Sequence, residues 1–464
     1  MVQLFAESGA VFRFEDGHES TGGDLVEEGC RVAAWLQQQG IRRGDRLALR
    51  MPNGPDYLRL LLACAAGGFV TVSVNTRYSA TEVAEIVERS GARQVELDDG
   101  VDGWRAHAPI TPVGERDDPF VVFTTSGTTS RPKLVLHHQC SISDHARDAA
   151  AAFGYGADDV VLVAMPLGGT FGLASLTAAA VGAGRVLVAN FEPAATATLI
   201  ATERVTCVNG SDDMFHRLLE RDADLSSIRL GGYARFNTSL DGIVERAAAS
   251  GATLTGLYGM SEVQALFALR DVSGGPTERS RAGGTLVSPD ASYRIVDGEL
   301  QVRGPSLFAG YLADGGTQID AELTDRHVDA GWFQTGDLAQ ADDARTFEYL
   351  ARLGDVLRLG GFLVSPAEVE QALMQFAGVR EAQVVAVDRP DGARPVAFVI
   401  APDGVDEAAA IEHCRGRLAR YKVPVRVIAI GEFPTTASAN GTKIQKAKLR
   451  ALAETALSTP ASAD

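Results

Sequence analysis

The stretch from Phe120 to His138, FVVFTTSGTTSRPKLVLHH, carries the densest chemistry in the chain. Its centre, Thr124 to Lys133, gathers hydroxyl residues, one glycine and one lysine into a short polar run. Hydroxyls donate hydrogen bonds, glycine lets main-chain N–H groups come close, and an ammonium supplies charge. These are the parts needed to wrap a polyphosphate, and Thr125, Ser126, Gly127, Thr128, Thr129 and Lys133 are the candidate ligands. The plain alternative is a polar hairpin turn. A Walker loop is excluded, because Lys133 follows Pro132 and has no glycine before it.

Elements must hold that loop. Apolar, β-branched runs bracket it, Phe120–Phe123 before and Leu134–Leu136 after, which predicts strand, loop, strand. Upstream, helix patterns over Asp24–Gln39, Tyr57–Gly67 and Ala80–Gly91 alternate with strand patterns at Arg46–Arg50 and Phe69–Val74. Such alternation predicts a parallel α/β sheet. The polar stretch Gly100–Pro119 reads as a connector. The alternation resumes with strands at Val160–Met165 and Arg185–Ala189 and helices at Ala194–Glu203 and Asp213–Arg221. Helix signals then fade, and Tyr293–Arg303 alternates around Asp297-Gly298, a hairpin signal inside a small β subdomain. After Leu353 a second α/β pattern starts, with helices at Pro366–Phe376 and Glu407–Ala419 and strands at Gln383–Val387 and Val396–Ile400.

At 464 residues the chain is too long for one core, so two or more domains are expected. A net charge of −17 argues against nucleic acid and anionic membrane surfaces as partners. Any polyphosphate must therefore be held by local donors and a divalent cation. The five cysteines are scattered, without a CxxC or a Cys/His cluster, so neither a disulfide framework nor a zinc site is expected. No export signal is visible, and Leu60–Val74 is too short and too broken by glycine to span a bilayer. A reduced cytoplasm fits this pattern.

The loop also resembles the phosphate loop of the adenylate-forming superfamily, which includes acyl-CoA synthetases, luciferase-like enzymes and peptide-synthetase adenylation domains. That loop usually runs TSGTTGxPKG; here Ser130 and Leu134 replace two of its glycines. Further stretches resemble the family in its order. In LTGLYGMSEV the resemblance implies that Tyr258 flanks adenine, with Gly259 and Ser261 beside the nucleotide and Glu262 holding Mg2+. A strand-to-helix turn capped by Ser261 is the structural alternative. In GWFQTGDLA, Asp337 is similar to the residue that accepts from both ribose hydroxyls. In YLARLGDVLRLGGF, Arg352 is similar to a ribose contact, Gly354 and Asp355 to a hinge, and Gly360-Gly361 to the lining of a pantetheine tunnel. In NGTKIQK, Lys443 resembles the catalytic lysine. The acid is implied at MPLGGTFGL, with Gly169 and Phe171, and at LGGYARF, with Gly232, Tyr233, Arg235 and Phe236. Gly168 and Gly169 stand where an aromatic residue and a histidine are common, which points to a bulky acid. Asp212 and Asp213 are read as helix capping before substrate contact, and His137 and His138 as equally suited to reaching the site or to a structural role at the loop edge.

The resemblance implies an α/β fold. Residues 1–352 would form an adenylate- and acyl-binding domain of two α/β sheets plus a small β-barrel, and 353–464 a mobile α+β lid hinged near 352–355. It implies an acid–thiol ligase that uses ATP, Mg2+ and coenzyme A to turn a small carboxylic acid into acyl-AMP and then a CoA thioester. The Ser130 and Leu134 departures raise an alternative, a chain that performs mainly the second half-reaction on a preformed acyl-AMP. Loading a carrier protein, or binding acyl-adenylates without turnover, are the other readings. Aryl, fatty and polycyclic acids all fit the sequence, and so does a homodimer.

Overall fold

The computed structural model describes residues 1–95, 101–125, 132–235, 242–316, 318–359, 362–389, 393–438 and 441–458. The expected strand, loop, strand is a hairpin. Pro119–Thr125 and Lys133–His138 pair antiparallel, with Thr125 opposite Lys133 at the neck of the loop. The short strand Gly310–Tyr311 adds to the outer side of the hairpin, against Leu136 and Val135. On the inner side, Pro119–Thr125 runs parallel to Val70–Ser73, and Arg46–Leu49 and Arg93–Val95 follow in parallel. The predicted connector holds a short 3-10 helix, Val101–Ala106.

The larger sheet has a parallel half and an antiparallel half. Val11–Phe14, Arg185–Val188, Val160–Val163, Cys207–Ser211, Leu230–Ala234 and Leu254–Met260 are the parallel neighbours. Beyond Leu254–Met260 come Gln264–Leu269, Gly283–Leu286, Thr346–Arg352, Trp332–Ala341, Glu299–Arg303 and Ser292–Val296, all antiparallel. The small barrel expected near 280–350 is thus, among the described residues, an open antiparallel extension of the sheet. Its cause is Leu254–Met260, which pairs on both edges and carries the sheet across. The predicted hairpin turns at Asp297 and Gly298, whose φ values of 50° and 84° suit a two-residue turn.

The helices begin where local chemistry can start them. Thr21 and Asp24 form a reciprocal capping box ahead of Gly22–Gln38, and Ser79 and Glu82 do the same for Ala80–Ser90. Ser211, not an aspartate, caps Asp212–Leu219: its hydroxyl accepts from the Met214 N–H. Asp212 and Asp213 lie inside the first turn, where carboxylates favour the helix dipole. The helix expected over Glu407–Ala419 stops at Arg415.

The last hundred residues have a core of their own. Glu381–Val387, Arg394–Ile400 and Arg426–Ala429 form a three-stranded sheet. Alternation sends Ala382, Val384, Ala397 and Val399 into one apolar cluster with Val369 and Leu373. The intervening Val385, Val387, Val396 and Phe398 meet Leu449 and Ala453 on the other face. Helices Pro366–Met374 and Lys446–Ser458 therefore cover opposite faces of this sheet. No helix among the described residues is long and apolar enough to cross a membrane.

At one end of the larger sheet, Asp159 anchors a polar cluster. Burial alone would raise its carboxyl. The Arg229 guanidinium at 2.6 Å, the Thr206 hydroxyl and the Gly156 N–H overcome that and pull it down to about 2. A carboxyl depressed in the folded state stabilises above its unfolded value near about pH 4 and loses that contribution as pH falls toward 2. Asp159→Asn should therefore cost about 1–2 kcal/mol at pH 7. Thermal melts between pH 7 and 3 should show the gap to the wild type narrowing only below about pH 4.

Candidate active site

The neck of the phosphate loop faces a buried carboxylate. Glu262 is only 5% exposed and accepts from the Tyr311 hydroxyl at 2.9 Å. Burial pushes its carboxyl above the usual range, against the pull of Tyr311 and Lys133. The Lys133 ammonium lies 4.6 Å over the Tyr311 ring and 3.5 Å from its hydroxyl. Its strongest contact is His327 Nε2, at 2.8 Å. Burial lowers the Lys133 pKa, which Glu262 partly restores. Gly310–Tyr311 pairs beside Lys133–His138, and this places Tyr311 over the lysine. Thr125 ends the facing strand, while Ser126, Gly127, Thr128, Thr129 and Ser130 lie outside the described residues.

Leu134 does not crowd this site. Successive residues of a strand point to opposite faces. Leu134 is buried in an apolar cluster with Val72, Val122 and Leu136, away from the Lys133 ammonium. One of the two departures in the loop is thus a core residue.

A second buried carboxylate lies nearby. Asp337 is 3% exposed and held on both oxygens: the Tyr258 hydroxyl donates to Oδ2 and Arg352 Nη1 to Oδ1, each at 2.6 Å. Burial raises its pKa, and Arg352 and Tyr258 oppose the rise. Asp337 and Arg352 sit opposite each other in adjacent strands, so sheet register makes the pair. Arg352 also donates to the Thr335 carbonyl. The Tyr258 ring packs edge-on against Phe347, with centroids 5.2 Å apart.

The turn between these carboxylates is tightly specified. The Leu254–Met260 strand bulges between Tyr258 and Met260. A Cβ on Gly259 would lie 2.2 Å from the Ala265 carbonyl oxygen, so no other residue fits without moving backbone. Gln264 adopts a φ of 67° and donates to the Ser141 carbonyl. His137 is fully buried; its Nε2 meets the Ser261 carbonyl oxygen at 2.7 Å and its Nδ1 the Ser141 hydroxyl. Burial drops its pKa to about 4, so it is a neutral clamp between the hairpin and the turn. Ser261 is not a helix cap: its hydroxyl accepts from Thr170. His138 contacts the Asp117 carbonyl.

The acid-segment residues are mostly packed. Phe171 is buried in the helix Thr170–Gly182, whose N-cap is Gly169. Gly232 lies on Leu230–Ala234, where a Cβ would come within 2.4 Å of Asn209 Oδ1. Tyr233 donates to the Ser280 carbonyl, and Arg235 is half-buried just after that strand. Phe236, Gly360 and Gly361 lie outside the described residues. Gly168 borders a cavity of about 280 Å³ at the carboxyl ends of strands from both sheets, together with Asn53, Val74, Met165 and Ser211. Such crevices are where α/β sheets bind ligands.

At the junction, Gly354 is not held in a left-handed conformation, and a Cβ there would meet open space. Arg450 donates to the Gly354 carbonyl and reaches Asp355 at 3.6 Å. Lys443 is in the hairpin strand Gly441–Ile444, opposite Thr436. Tyr311 and His327 are contacts that motif reading missed. Nothing in the sequence pairs Tyr311 with a strand so far upstream.

Gly259→Ala should force the bulge apart and cost about 1–3 kcal/mol, the usual penalty of overpacking. Urea unfolding of the variant measures it directly, with Gly354→Ala, which meets no neighbour, unchanged within about 0.5 kcal/mol as the contrast.

Comparison with known proteins agrees with this geometry. The model of the AMP-binding enzyme family matches residues 3–99 and 93–312, and that of the AMP-binding enzyme C-terminal domain matches 368–440. The chain is 32% identical to the 3-[(3aS,4S,7aS)-7a-methyl-1,5-dioxo-octahydro-1H-inden-4-yl]propanoyl:CoA ligase of Mycobacterium tuberculosis, covering 93% of this chain and 94% of the relative. It is 31% identical to a feruloyl-CoA synthase of Amycolatopsis, covering 94% of each. Among solved structures, ATP-bound MatB from Rhodopseudomonas palustris superposes with a TM-score of 0.83 at 24% identity, covering 97% and 98% of the two chains. The anthranilate CoA ligase AuaEII in complex with anthranoyl-AMP gives 0.83 at 20% identity, covering 99% and 98%; both likenesses show the fold. Matched along most of its length by this family's models and by relatives above 30% identity, the chain belongs to the AMP-binding enzyme family, as its motifs and their order imply.

Proposed function

We propose that the protein is an AMP-forming acyl-CoA ligase that activates a bulky, ring-bearing carboxylic acid. The observation that carries this reading is the pair of buried carboxylates, Glu262 on the turn that follows the bulged strand Leu254–Met260 and Asp337 on Trp332–Ala341, tied to that bulged strand by the Tyr258 hydroxyl. Asp337, kept in place by Tyr258 and Arg352, presents a carboxylate suited to ribose hydroxyls. Tyr258 and Gly259 flank the base. Thr125, Lys133 and the loop that follows Thr125 take the phosphates.

Glu262 fits a magnesium ion. It is a single buried carboxylate, and no cluster of three or more acidic, histidine or cysteine side chains stands among the described residues. Magnesium binds through one or two carboxylates plus phosphate oxygens and water, and supplies charge stabilisation to the departing pyrophosphate.

In the first half-reaction, an oxygen of the acid attacks the α-phosphorus and the bond to pyrophosphate breaks, leaving acyl-AMP. Lys443 on the C-terminal hairpin offsets the charge that grows on the transferring group. In the second, the CoA sulfur attacks the acyl carbonyl, its thiol proton leaves, and the bond to AMP breaks. Gly360-Gly361 have the role of admitting pantetheine, and residues 353–464 act as a lid that turns near Gly354 and Asp355 to exchange the two geometries. Ring-bearing acids are supported by the cavity that Gly168 borders and by the bicyclic and feruloyl names of the relatives. The buried position of Leu134 favours intact use of ATP over a thioester-only enzyme.

A panel of ring-bearing and aliphatic acids with MgATP should give AMP only when CoA and the right acid are both present. Absence of AMP with every acid, and of thioester from any synthetic acyl-AMP, would sink the ligase reading. Lys443→Ala should slow ATP–pyrophosphate exchange by about a hundredfold or more while leaving thioester formation from acyl-AMP within about threefold. An exchange rate that survives this substitution refutes the role given to Lys443.

A further inference from the structure

We propose that His327 is a positioning residue that holds the Lys133 ammonium ready for the phosphates of the nucleotide. The inference deepens the adenylating role argued above and rests on it. Its basis is the contact at 2.8 Å between Lys133 Nζ and His327 Nε2. An ammonium has three donors and no acceptor, so His327 Nε2 must accept. The ring is therefore neutral and keeps its proton on Nδ1. The surroundings enforce that state. Burial first, then Lys133, Arg352 and Arg326, lower the His327 pKa, and only Glu299 among the nearby charges raises it. Tyr311, edge-on to the imidazole at 5.6 Å, adds no charge while its hydroxyl stays protonated.

The arrangement keeps two opposite charges usable. Tyr311 stands between Lys133 and Glu262, giving its proton to the carboxylate and its ring face to the ammonium. Among the described residues, neither Lys133 nor Glu262 closes an ion pair. A direct buried pair would have to be broken by every incoming phosphate, at high cost. Held instead by a neutral nitrogen at 2.8 Å and by the ring face and distant hydroxyl of Tyr311, Lys133 meets no opposite charge and keeps a donor for a ligand. His327 itself is fixed by its backbone: its N–H donates to Thr324 O, and its carbonyl accepts from the Gln334 N–H at 2.7 Å. The lysine stem thus loses little freedom when phosphate arrives, because most of that freedom is already gone.

Isothermal titration of magnesium pyrophosphate and of AMP into the full chain tests this without knowledge of the acid. His327→Ala should weaken magnesium pyrophosphate about tenfold, as loss of one charge-assisted hydrogen bond does, and leave AMP within about twofold. His327→Gln, whose amide oxygen can accept from Lys133, should recover pyrophosphate affinity to within about threefold of wild type. Equal or tighter pyrophosphate binding by His327→Ala, no recovery with Gln, or a matching loss of AMP affinity each overturns the proposal. So does a wild type that binds AMP but not pyrophosphate. A wild type that binds neither removes the adenylating role as well, and the His327 proposal with it.

Discussion

Removing a carboxylate from water is costly unless hydrogen bonds replace the water, and this protein does it twice within one site. Glu262 and Asp337 are each met by a tyrosine hydroxyl, from Tyr311 and Tyr258. Phenols donate without adding charge, so they satisfy an acid without neutralising it. Asp337 has Arg352 as well, which suits a carboxylate that binds hydroxyls. Among the described residues Glu262 has no such cation in contact, which suits one that meets a metal ion. The rest of the large sheet can be read as the frame for this difference. The bulge at Gly259, the left-handed Gln264 and the buried His137 all fix the short turn that separates the two acids.

Much of the frame was readable from periodicity. Helices with capping boxes at Thr21 and Ser79, the Asp297-Gly298 hairpin and the two-faced C-terminal sheet follow local rules that act over a few residues. The order of the motifs was equally plain. What stayed hidden depends on contacts between distant segments. Nothing local says that Leu254–Met260 will carry the sheet across into its antiparallel half, or that Gly310–Tyr311 will lie beside Lys133. His327 had no motif around it and surfaced only through its distance to a lysine.

Lys133 and Leu134 are neighbours on a strand, so alternation already sends them to opposite faces, and the leucine was never a threat to phosphate. Ser211 precedes Asp212 and Asp213 and is as good a helix cap as either. In both cases the residue's place in its element, more than its type, decides its role.

The Lys133–His327 contact joins residues 194 positions apart, and Lys133–Tyr311 spans 178. A ribosome releasing this chain from its N-terminus finishes the phosphate loop long before the groups that hold its lysine exist. Until then the ammonium has neither its nitrogen nor its ring. Ordering of that corner must therefore wait for the middle of the chain to be made and docked, which places it among the slow, long-range closures of folding.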